Sequence, residues 1–93
     1  MIKIVINCKP KENSEQFEKV IGAYAAIFID YNDIDGAFAL AKFYVNENDW
    51  EVIEIDEEYF IIETKKDMGQ DYEKYYEEVM EYGYSVILNT YNE

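Results

Sequence analysis

Between Gly22 and Glu63 the hydrophobic period changes from two residues to nearly four and back again, which restricts this part of the chain to a strand, a helix and further strands. Ala23 to Tyr31 is apolar on both alternating sets: Ala23, Ala25, Ile27 and Ile29 on one, Tyr24, Ala26 and Phe28 on the other. A strand of that kind is covered on both faces or lies centrally in its sheet. Asn32 or Asp33 is the expected N-cap of a helix running from about Asp33 to Asn46, with Asp33 and Asp35 in a first turn where acids favour the helix dipole. Ile34, Ala37, Phe38, Ala41 and Val45 then form its core stripe, with Tyr44 beside it. Leu40 and Phe43 lie away from that stripe, so the helix calls for a second cover, either the segment around Phe17 to Ile21 or another subunit. Trp50 to Asp56 and Tyr59 to Thr64 are β-rich runs separated by Glu57-Glu58. They predict a hairpin that lacks the usual Gly or Asn in its turn, with one long bent strand as the alternative.

The flanking segments read as cover for this unit. Ile2, Ile4 and Ile6 alternate with Lys3, Val5 and Asn7 in the period of a strand, which Pro10 ends by having no amide for the ladder. Glu12 to Ile21 is either a short helix opened by Asn13 or Ser14 or a loop. Lys65 to Gly69 reads as a loop, and Asp71 to Tyr82 as a second helix that buries Tyr72, Tyr75, Tyr76 and Val79 and stops at Gly83. Tyr84 to Tyr91 is a last strand. The last six elements match the βαββαβ order of a ferredoxin-like sandwich with an extra N-terminal strand, which would extend the sheet or make a hairpin with the second strand: an α+β fold with a mainly antiparallel sheet and both helices on one face. Residues 1–93 are expected to form a single domain, since a chain of this length holds one core.

Hydrophobic residues make up 49% of the chain, enough for a core without disulfide or metal staples. The only cysteine, Cys8, has no partner for a disulfide, and neither a signal-like leader nor a membrane-length apolar run is present, so a reducing cytoplasm is the expected compartment. The formal net charge is -13. It disfavours direct nucleic-acid binding, which draws on cationic groups, and favours a basic protein partner. The charge is concentrated: residues 23–64 hold eleven acids against Lys42 alone.

DYNDIDG, Asp30 to Gly36, invites a calcium-loop reading. Aligning Gly36 with the loop glycine, however, places Tyr31 and Lys42 at the first and last ligand positions, where carboxylates are required, so a helix start explains the segment better. No metal and no cofactor are expected. The chain has no histidine, which removes Ser-His and Cys-His pairs, and no glycine-rich phosphate loop. Carboxylate pairs such as Asp56 with Glu58, or Glu54 with Glu63, would serve acid-base chemistry only in a cleft that splits their pKa values. Cys8 beside Lys9 is either a thiol of lowered pKa or a buried structural one. No catalytic residue is assigned.

The pattern GAYAAIFID, acids opening a helix, ALAKFYVNENDWEVIEI, and an acidic helix before YSVILNTY resembles a group of small acidic bacterial α+β proteins, a resemblance that brings no activity with it. In size, charge and style the chain is also similar to bacterial immunity proteins, which bind and block a cognate toxin. The resulting expectation is a non-enzymatic protein-binding domain, immunity-like, that inhibits a basic partner. Its expected contact residues are Tyr31, Trp50, Glu54, Asp56, Glu57 and Glu58, aromatic anchors rimmed by acids. Two other classes stay open: a nucleic-acid mimic using the row Glu73, Glu77, Glu78 and Glu81, and a small-ligand-binding regulator with a pocket against the sheet. Homodimerisation is a further option.

Overall fold

The structure, a computed structural model, describes residues 1–92. Four strands form one antiparallel sheet: β1 (Ile2–Pro10), β2 (Gly22–Ile29), β3 (Trp50–Ile61) and β4 (Tyr84–Tyr91), in the spatial order β3-β1-β2-β4. Two helices complete the α+β fold, α1 (Ile34–Glu47) between β2 and β3 and α2 (Tyr76–Tyr82) before β4. Short 3-10 turns at Lys65–Met68 and Glu73–Tyr75 lead into α2. Among the described residues no helix is long and apolar enough to cross a membrane.

The alternation of each strand sorts its side chains onto two faces. One face gathers Ile2, Ile4, Ile6 and Cys8 of β1 with Ala23, Ala25, Ile27 and Ile29 of β2, and α1 covers them with Ala37, Ala41 and Val45, all buried. The opposite face carries Ala26 and Phe28, which pack with Val79 of α2 and with Ile62 and Met68; Tyr72, Tyr75 and Tyr76 close the edge of that cluster. The sandwich is therefore three-layered, with one helix on each side. This corrects the ferredoxin-like expectation of both helices on one face, and the reason is β2: apolar on both sets, it is stabilised by burial from both sides.

Of the two placements expected for the N-terminal strand, the antiparallel pairing with the second strand is the one realised, and the strand is internal to the sheet. β1 lies between β2 and β3 and pairs with both, because its fully buried isoleucines need a central position. The expected hairpin within Trp50 to Thr64 does not form. β3 runs continuously for twelve residues along β1, with register shifts between Ile4 and Ile6 and between Asn7 and Cys8, so the long bent strand is the one realised. Nothing at Glu57-Glu58 supplies the positive φ that a tight hairpin turn needs, whereas a bulge absorbs the extra residues. Asp56 stabilises that bulge, its Oδ1 accepting a hydrogen bond from the Glu58 amide at 3.0 Å.

The ends of α1 follow the local signals. Asp33 is the N-cap, its Oδ2 accepting from the Gly36 amide at 3.0 Å. Gly83 ends α2 at φ 87°, its amide bonded to the Val79 carbonyl at 2.7 Å, a left-handed position that favours glycine. α2 itself is shorter than the expected Asp71 to Tyr82, its first turns being 3-10. Residues 12–21 form turns rather than a helix: Val20 packs beside the α1 core, while Phe17 and Ile21 stay largely exposed. The second cover expected for α1 is thus confined to Val20, and Phe43 remains 55% exposed.

Asp67 secures the entry to the first 3-10 turn, accepting from the amides of Thr64 at 2.9 Å and Glu63 at 3.0 Å. These backbone bonds, Thr64's first, hold its carboxyl below the usual value of 3.8. A lowered folded pKa stabilises the fold above the unfolded value and loses that contribution as pH falls through the folded one. Asp67→Asn should therefore lower Tm at neutral pH, with the difference from the parent chain closing only as pH is taken below 3.8 in thermal melts. A difference that stays constant across that window would contradict the capping role.

Candidate functional site

α2 covers only the β2–β4 half of its face. Over β1 and β3 the sheet lies open, and a depression of about 680 Å³ is lined there by Val5, Asn7, Tyr24, Glu54, Ile55, Asp56 and Glu57. Its floor comes from the β1 residues that point away from α1. One wall is Tyr24 of β2, 53% exposed, whose ring lies 5.2 Å from that of Tyr91 on β4. Tyr91 Oη donates to Asn7 Oδ1 at 2.8 Å, which ties the two outer tyrosines to the floor. Gly22 makes room for this arrangement: a Cβ there would stand 2.8 Å from the Cys8 carbonyl and 2.7 Å from the Tyr91 ring.

The facing wall is made by β3. Between the pairs Ile4↔Tyr59 and Ile6↔Ile55, β1 contributes Val5 alone while β3 contributes Asp56, Glu57 and Glu58. Strict alternation would divide these acids between the two faces; the bulge instead brings Glu54, Asp56 and Glu57 to one depression. Among the described residues, ion pairs join Lys9 to Glu51 at 3.8 Å and Lys65 to Glu77 at 4.0 Å, and none involves Glu54, Asp56, Glu57 or Glu58. Lys3, on the same face, is held over aromatic rings, its Nζ 4.9 Å from the centroid of Tyr72 and 5.6 Å from that of Phe60. The depression is consequently anionic on one side and aromatic on the other.

Of the six residues singled out from sequence, Glu54, Asp56 and Glu57 line this depression, and Glu58 is exposed on the same bulge. Trp50 is placed differently. It is 4% exposed and belongs to the core beneath α1, so it presents no ring to a partner. Tyr31 is exposed but sits before α1, its ring against Gly36, away from the acids. Sequence reasoning missed Tyr24 and Asn7. The available signal was a tyrosine on the less covered of β2's two alternating sets.

The remaining candidates have structural roles. Asp33 is engaged in capping, and among the described residues no group of three or more Asp, Glu, Cys or His side chains is gathered as metal ligands. Burial pushes the Cys8 thiol up to about 11, and its Sγ donates to the Ala23 carbonyl at 3.4 Å, which makes it a packed core group rather than a nucleophile. Comparison with known proteins returns no match: no family model fits the chain, and neither a curated protein nor a solved structure is similar to it.

Proposed function

We propose that this chain is a non-enzymatic protein-binding domain whose open half-sheet receives a basic protein partner, in the manner of an immunity-like inhibitor. The observation that supports the reading is the depression's composition: three acids that form no ion pair among the described residues face the exposed ring of Tyr24 over uncovered strands. Carboxylates of this kind speed encounter with a cationic surface, and a partly exposed tyrosine adds contact area and a cation-accepting π face at small entropic cost. The fold class sets no limit on function, so the site carries the argument. The breadth and shallowness of the depression suit a protein surface better than a small molecule, which is usually enclosed on most sides.

A test starts from the partner recovered at low salt from the source organism. Binding of that partner should weaken steeply as ionic strength rises. Glu54→Lys combined with Glu57→Lys should reduce affinity at least about tenfold and flatten the salt dependence, and Tyr24→Ala should cost a further ~1–2 kcal/mol. Affinity that ignores both salt and the double charge reversal would refute the assignment of this surface.

A further inference from the structure

The two edges of the sheet differ in a way that bears on association. β3 breaks register twice against β1 and carries Glu51, Glu54, Asp56, Glu57 and Glu58, and both features discourage another strand from adding to an edge. β4 has neither. Its eight residues, YSVILNTY, pair with β2 in unbroken register from Gly22↔Tyr91 to Ile29↔Tyr84 and include no charged side chain, in a chain of net charge -13. Asp30 donates to the Gly83 carbonyl at 2.9 Å, one step past that ladder's end. Antiparallel bonding alternates along a strand, so the amides and carbonyls of Tyr84, Val86, Leu88 and Thr90 are directed away from β2. Among the described residues, no backbone bond from a loop or turn reaches these four.

We propose that this edge is a homodimer interface, in which β4 pairs antiparallel with β4 of a second copy about a two-fold axis at Ile87, extending one sheet through both copies. Two arguments select a second copy as the occupant. The first is self-complementarity. A two-fold at Ile87 sets Val86 opposite Leu88 of the other copy, apolar against apolar, and it aligns the outward backbone groups from Tyr84 to Thr90 into about eight hydrogen bonds. The second is charge. At the β3 edge two copies would bring carboxylates together, whereas β4 has no charged side chain of its own and only Glu78, bonded to Ser85, beside it, so the repulsion is smaller there. Because the β3 edge is blocked, association closes at two copies instead of growing into a fibre. The acidic depression lies toward the β3 edge, so a dimer leaves both of its depressions open. The inference does not depend on what binds there.

Sedimentation equilibrium of the full chain decides it. The dimer fraction should rise with protein concentration and also with salt, because screening relieves the repulsion between two chains of charge -13. That salt dependence is opposite in sign to the one expected for a basic partner. Thr90→Pro removes an outward amide while leaving the β2 ladder intact, and should weaken dimerisation at least about tenfold with the far-UV spectrum unchanged. As an independent readout, Ile87→Cys should give a disulfide-linked dimer on mild oxidation, while Asn89→Cys, which does not face its own copy, should give little. The proposal is overturned if the chain stays monomeric at high salt up to millimolar concentration, if Thr90→Pro dimerises as well as the parent, or if the two cysteine variants cross-link equally.

Discussion

Phe28→Ala should destabilise the domain by about 3–5 kcal/mol, a large part of the ~5–15 kcal/mol that holds a native protein of this kind together. Phe28 is fully buried on the face opposite α1, where it packs with Ala26, Val79, Met68 and Ile62. Its ring centroid lies 5.4 Å from that of Tyr72, and the Lys3 ammonium stands 5.8 Å above it. No other large side chain from the strands is fully buried on that face, so truncation leaves a cavity which the short α2 can fill only by shifting. For a domain of this size Tm should fall by roughly 15 °C or more, as read by thermal circular dichroism. Amide exchange should show protection lost first between Lys65 and Tyr82 and retained along β1 and β2. A change of only a few degrees would mean that α2 is held by something other than this cluster.

Trp50→Ala should be comparably damaging, at about 3–5 kcal/mol, and should act on stability alone. Trp50 opens β3, pairs with Pro10 across the sheet and is buried in the same cluster as Cys8 and Val45. The preceding Asp49 turns the chain out of α1 at φ 65°, which brings the indole under the helix. The folded fraction of Trp50→Ala should bind the partner with unchanged affinity. The converse pattern is expected for Glu54→Lys with Glu57→Lys, exposed substitutions that change affinity and leave Tm nearly where it was. Denaturant melts run beside binding isotherms separate the two. A Trp50 variant that keeps its midpoint but loses binding would return this residue to the contact surface.

Much of the architecture was legible because its causes are local. The alternation of Ile2, Ile4 and Ile6, the Asp33 cap and the Gly83 stop each act within a few residues, and the structure has them where the sequence suggests. The two apolar sets of β2 call for cover on both faces or a central place in the sheet, and cover on both faces puts the helices on opposite sides. The βαββαβ match counted elements in order and passed over that point. Pairs such as Tyr44 and Tyr84, stacked at 3.7 Å between α1 and β4, show the same limit, since residues forty positions apart carry no local mark of contact.

The sequence by itself determined the α+β class, the strand positions of β1, β2 and β4, the Asp33 start of α1, the Gly83 stop of α2 and the concentration of charge in residues 23–64, all of which follow from short-range periodicity, capping and composition. Only the tertiary structure decided whether residues 50–64 make one strand or two, because pairing along the whole of β1 outweighs a turn whose own residues have no strong preference. That choice places the bulge, and the bulge sets which acids share a face. Trp50 went into the core and Tyr24 to the surface for a related reason: side-chain exposure depends on where α1 and α2 end in space, and the sum of many distant contacts fixes those positions.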